Sequence, residues 1–189
     1  MIELTCDALR VVMVRAARRE DGPALQAIER LAGEQFRTVG LDGVADDEPA
    51  SLQELANFAT EGRSWVAVDA EDHPVGYVVV DEVDGDAHVE QVSVQPAHQR
   101  LGVGRALLDR VRMWALETGR SAISLTTFAD VPWNRPLYEH LGFRVIVGDE
   151  IGPELRNLRQ AEATHGLDPT IRVCMRLDIN AEPPGKPVP

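Results

Sequence analysis

Two glycines, Gly102 and Gly104, stand in the run Gln99-Arg100-Leu101-Gly102-Val103-Gly104-Arg105-Ala106, between an alternating stretch that ends near Val94 and a long amphipathic one. Glycine tolerates backbone angles that turn successive N–H groups inward, and a helix N-terminus adds partial positive charge, so such a corner is built to hold a diphosphate. Arg100 and Arg105 add two cations beside it. Two familiar phosphate motifs fit badly: there is no GxxxxGK followed by Ser or Thr, and Leu107 occupies the third-glycine position of GxGxxG. Just upstream, His88 and Glu90 share one parity of the alternating run and are both able to accept a proton.

These groups need elements to position them. His88–Val94 reads as a strand, with Val89 and Gln91 on one face and His88, Glu90, Val92 and Val94 on the other, and Pro96 ends it. Gly102–Thr118 carries Val103, Leu107, Val111 and Trp114 at helical spacing, with Gly119 as a stop. Before them come a β-branched run at Val11–Val14 and a helix from Asp21, its cap, through Leu25, Ile28, Leu31 and Ala32. A Gly- and Asp-rich mobile connection follows at Leu41–Pro49, then a short helix through Leu52, Leu55 and Ala56. Strands Trp65–Val68 and Val75–Val83 pair antiparallel across a turn-like segment. Ile123–Thr126, Phe143–Val147 and Ile171–Ile179 read as further strands, Arg135–His140 and Glu154–Ala163 as helices. The expectation is one domain over residues 1–180 and a Pro-rich, disordered tail over residues 181–189.

Bulk properties narrow the function classes. The chain has 189 residues, 44% hydrophobic and 26% charged, enough for one well-buried core. A formal net charge of -12 argues against a protein that grips nucleic acid, and makes a cationic partner electrostatically easier. Cys6 and Cys174 lie far apart with no metal-knuckle spacing, so no metal is expected and both are read as thiols. The order of charges at the N-terminus is the reverse of a secretory signal, and no apolar run approaches the roughly 20 residues that span a bilayer. A soluble, cytoplasmic protein with no membrane partner is expected.

The segment from Gln99 to Gly104 resembles motif A of the GNAT N-acetyltransferase superfamily, Q/R-x-x-G-x-G/A, through Gln99, Gly102 and Gly104. Tyr138-Glu139-His140-Leu141-Gly142-Phe143 is similar to the family's motif B, Y-x-x-L-G-F, and the order of elements over Val11–Val147 is also the family's. The resemblance implies an α/β fold with a mixed, mostly antiparallel central sheet of six to seven strands flanked by helices. It implies acetyl-CoA as co-substrate, its pantetheine arm beside Val92, Ser93 and Val94 and its diphosphate on Gln99, Arg100, Leu101, Gly102, Val103, Gly104 and Arg105. An N–H near Val92 would meet the developing oxyanion. Tyr138 matches the family tyrosine that acts as general acid.

Direct attack by a primary amine then needs a base, for which Glu90 and His88 are the candidates. Asn134 is read either as a helix N-cap or as a contact to the donor; in many relatives the corresponding Asn lies farther ahead of the tyrosine, where this chain has Val131. The family's acceptor side implicates Glu34, Gln35 and Phe36, with the acidic Asp46–Glu48 run nearby. The leading reading is acetylation of a small-molecule amine. Acetylation of a protein N-terminus or lysine is the alternative, and a CoA-binding regulatory module without turnover is the rival from another class. A homodimer is compatible with any of these.

Overall fold

The computed structural model describes residues 13–164 and 166–179. Short β-branched and apolar runs form seven strands: β1 (Met13–Ala16), β2 (Ser64–Val68), β3 (Pro74–Val83), β4 (Asp86–Val94), β5 (Ala122–Phe128), β6 (Arg144–Ile146) and β7 (Arg172–Asp178). They make one sheet in the order β1-β2-β3-β4-β5-β7-β6. Every pairing is antiparallel except that of β4 with β5. The parallel pair requires a crossover, which the longest helix provides.

The helices are α1 (Gly22–Gly33), α2 (Asp42–Ala45), α3 (Leu52–Thr60), α4 (Val103–Glu117), α5 (Arg135–His140) and α6 (Pro153–Thr164). On one face α4 buries Val103, Leu107, Leu108, Val111 and Ala115 against Val78, Val80, Val89, Leu125 and Met175. Full burial of such side chains is worth about 1.5–3 kcal/mol each. On the other face Leu25 of α1 and Leu55 of α3 pack on Val66, Val68, Tyr77 and Val79. Leu155 of α6 packs there too, with Val83, Ile146 and Cys174.

Local chemistry fixes the helix ends. Ser51 and Glu54 form a reciprocal capping box on α3, with Glu54 N–H donating to Ser51 Oγ at 3.2 Å and Ser51 N–H to Glu54 Oε2 at 2.8 Å. The N-terminus of α6 is capped from outside. Asp84, in the β3–β4 turn, accepts from Glu154 N–H at 3.0 Å and Leu155 N–H at 2.9 Å.

Several expectations shift. The first strand extends to Ala16, while Val11 and Val12 lie outside the described residues, as do Cys6 and the tail 181–189. Asp21 precedes α1 but does not cap it through its side chain. Its carboxylate instead accepts from the Arg15 guanidinium and from Arg18 N–H at 2.7 Å. The connection 41–49 is not structureless, for it contains α2, and Arg37 pairs with Glu34, Asp42 and Asp46 while Arg30 pairs with Glu48. The acidic run is thus largely neutralised where it stands.

The most consequential correction concerns β4. Gln91 pairs with Val79 and Val89 with Val80, so Glu90 faces no partner on β3. This bulge resets the alternation. Val89 joins Val92 and Val94 on the α4 face. Gln91 turns to α1 on the other face, where its Nε2 donates to Glu29 Oε1 at 2.8 Å.

Candidate active site

β4 and β5 pair only where Ala87, His88 and Val89 meet Ile123, Ser124 and Leu125. Beyond Val89 the two strands part, and the edge of β4 that faces β5 offers its backbone groups to no strand. Unpaired main-chain edges accept an extended ligand readily. The expected partners Val92 and Val94 lie on this edge with their side chains half-buried against the α4 core, and Ser93 is buried on the opposite face.

The glycine corner closes the wide end of the gap. Gly102 has φ 82° and Arg100 φ 60°, both left-handed, so the chain turns sharply into α4. Ala106 N–H is bonded to Gly102 O at 2.9 Å, which leaves the amides of Val103, Gly104 and Arg105 in a first turn without intrahelical acceptors. Gln99 braces the corner, donating from Nε2 to Val94 O at 3.3 Å. Arg100, Leu101 and Arg105 are exposed, whereas the side chain of Val103 is core. Gly76 on β3 lets the helix approach, because a Cβ there would sit 3.0 Å from both Ser93 O and Val103 Cγ1.

Glu90 opens to solvent, yet its carboxyl is raised above the ordinary range, first by the protein packed around it and then by the charges of Asp81 and Glu162, against Arg172. Accessibility together with desolvation describes a group recessed in a concavity. His88 does not share that setting. It is 1% exposed, its Nδ1 lies 2.9 Å from Ser124 Oγ, and burial pushes it down to about 4. A base must touch the proton it removes, so the structure speaks against His88 in that role. Tyr138 is half-buried on α5, edge-on to Phe143 with ring centroids 5.7 Å apart, and burial raises its phenol to about 12. Asn134 occupies the cap position of α5 without a side-chain capping bond, and its Nδ2 donates to Thr127 Oγ1 at 3.0 Å.

The acceptor side holds groups that sequence reasoning passed over. Glu29 of α1 accepts from Tyr77 Oη and from Gln91, and burial raises its carboxyl above the usual range. Phe36 lies 5.4 Å from Phe128 and 5.9 Å from Trp133 between ring centroids. Arg172 stacks 4.8 Å over the Phe128 ring while pairing with Glu162 and donating to Thr126 Oγ1. Of the expected acceptor residues, Phe36 reaches this cluster. Glu34 is exposed and paired with Arg37, and the Gln35 carbonyl is taken by Thr38 Oγ1. The missed carboxylate at Glu29 had one signal, an acidic residue next to the buried Ile28 on the core-facing stripe.

The profile of the Acetyltransferase (GNAT) family matches residues 25–143. The mycothiol acetyltransferase of Clavibacter sepedonicus is 35% identical over 150 residues, 77% of this chain but 45% of that protein. The peptidyl-lysine N-acetyltransferase of Escherichia coli (strain K12) is 27% identical over 146 residues, covering 75% of this chain and 88% of that one. Among solved structures, the PaiA N-acetyltransferase of Thermoplasma acidophilum in complex with coenzyme A superposes with TM-score 0.66 at 14% identity, covering 88% of this chain and 98% of that one. The chain belongs to the GNAT acetyltransferase family. It spans less than half the length of the mycothiol acetyltransferases that it matches. Among the described residues no helix is long and apolar enough to cross a membrane, and no cluster of His, Cys, Asp and Glu could hold a metal ion.

Proposed function

We propose that the chain transfers the acetyl group of acetyl-CoA to a primary amine of a small molecule, which attacks directly while both substrates are bound. The observation that carries this reading is the coincidence of an open β4 edge with a left-handed glycine corner, at the end where β4 and β5 part. The residues present fit the donor. The β4 edge over Glu90–Val94 would pair with a pantetheine arm, and the first-turn amides of α4, with Arg100 and Arg105 beside them, would hold a diphosphate. When bound, acetyl-CoA supplies an activated acyl thioester.

The chain's own groups do the rest. Glu90, recessed but accessible and with a raised pKa, takes the ammonium proton better than an ordinary glutamate does. An N–H near Val92 would stabilise charge on the acyl oxygen, a contribution of roughly 3 kcal/mol in comparable sites. Tyr138 keeps its Oη proton at neutral pH and gives it to the departing sulfur. Phe36, on the side expected to hold the acceptor, is fixed by ring contacts to Phe128 and Trp133. Peptidyl-lysine acetylation is the second reading, supported by likeness to the Escherichia coli relative over 88% of that protein's length.

Thiol release from acetyl-CoA with a panel of small amines and lysine peptides tests this. Tyr138→Phe is expected to lower kcat by about 100-fold while coenzyme A still binds by calorimetry. Coenzyme A binding without turnover on any amine would favour a regulatory module. Gly102→Glu, which puts a bulky anion at φ 82°, is expected to lose coenzyme A binding, and unchanged binding would overturn the corner assignment.

A further inference from the structure

The indole Nε1 of Trp133 is buried and has no hydrogen-bond partner among the described residues. A buried donor without an acceptor is costly, and native proteins carry few of them. Ser64 Oγ, His98 Nδ1 and Arg120 Nε share that condition. Ser64 and Arg120 lie away from the parted strands, and Arg120 already pairs with Glu82. Trp133 stands differently. It directly precedes Asn134, whose carbonyl receives the Tyr138 N–H at 3.2 Å, and its ring meets Phe36 from the α1–α2 connection. The orphan donor thus belongs to a residue that joins the start of the Tyr138 helix to the Phe36 ring.

We propose that the Trp133 indole N–H is reserved for an amide carbonyl of a bound substrate, so that Trp133 is a recognition residue and not packing alone. The inference rests on the transferase reading above. The surroundings select a neutral oxygen. Phe36 and Phe128 supply an apolar wall, and the nearby Arg172 guanidinium is already taken up by Glu162 and Thr126. An anionic group brought there would lose its water without gaining a free cation, whereas a carbonyl needs one donor. Two sources carry that oxygen: the pantetheine arm of the donor, which contains amides, and an acceptor whose amine sits beside an amide.

Trp133→Phe keeps an aromatic ring against Phe36 and deletes the donor, and Trp133→His returns a ring N–H. The expected result for Trp133→Phe is a Tm equal to or above the parent's, since an unsatisfied donor has been removed, together with a KM raised about fivefold for one substrate. A rise confined to acetyl-CoA, matched by weaker coenzyme A binding in calorimetry, assigns the carbonyl to the pantetheine arm. A rise confined to an amino-acyl amide, absent for a simple alkylamine, assigns it to the acceptor. Trp133→His should recover part of either loss. Unchanged KM for both substrates overturns the proposal, whatever happens to Tm. If the parent never turns over any amine, the transferase reading falls, but coenzyme A calorimetry still decides here: equal affinity in the parent and Trp133→Phe overturns the proposal, and weaker affinity supports it.

Discussion

At the scale of the residue, Glu90 combines solvent access with a raised carboxyl, and that combination has a kinetic signature. A free amine near pKa 10 is protonated at neutral pH, so a base is needed there and becomes dispensable as the pH rises. Glu90→Gln is therefore expected to lower kcat/KM about 100-fold near pH 7 and to recover most of the deficit by about pH 10. In the parent, activity should fall on acidification through a value above the ordinary glutamate 4.5, and that limb should vanish in the variant. A pH–rate profile of both proteins on one amine checks the pair of statements; parallel profiles would remove Glu90 from proton transfer. The left-handed turn at Gly102 into the long helix was legible in sequence, because turn chemistry is local. Glu29 and Gln91 were not. Their settings come from contacts between segments far apart in the chain, such as Tyr77 against Glu29, which no spacing rule encodes.

At the scale of the element, the start of α4 rests on β3 through one residue without a side chain. A methyl at Gly76 would press against Ser93 O and Val103 Cγ1, each 3.0 Å away, and against Val94 Cγ2 at 3.3 Å. Overpacking of this kind costs about 1–3 kcal/mol. Gly76→Ala should lower the urea midpoint by a corresponding amount and also weaken coenzyme A, because the pushed part of α4 is the turn that presents its amides. A stability loss with coenzyme A affinity intact would show that the corner is independent of β3. The periodic elements were read within a few residues, since α4 and the strands each bury a regular face. The bulge escaped, because period-two alternation carries no mark of an extra residue, and so did α2, which is too short to show a helical period. The acidic loop misled for a related reason: its arginine partners sit on the segment before it.

At the scale of the whole molecule, acid should act on the core before it acts on the surface ion pairs. His88 is buried and neutral, with its pKa lowered from 6.5 to about 4. The unfolded chain binds a proton there at a higher pH than the native one, so stability is unaffected above about 6.5 and declines as the pH falls toward 4. The slope from this one group is at most about 1.4 kcal/mol per pH unit. Urea midpoints between pH 7 and 4.5 should fall in the parent and less steeply in His88→Gln. The Asp21 carboxyl works in a lower window. Burial pushes it up, but Arg15 and the Arg18 N–H hold it below the ordinary carboxylate range, so its contribution is present above that range and is lost only as the pH falls through its own lowered value. The exposed pairs around Arg37 matter little to either limb, since solvent screens them. The net charge of -12 argues against one class of partner without indicating the site, because charge balance describes solubility more than chemistry.

Strike Glu90 from β4 and the strand reads Ala87, Val89, Val92 and Val94 on one side, with His88, Gln91 and Ser93 on the other, in unbroken order. Such a strand would keep the register of β3 without a break, since the shift lies between Val79 and Val80. A single surplus amino acid breaks the ladder, and it carries the carboxyl that opens to solvent there.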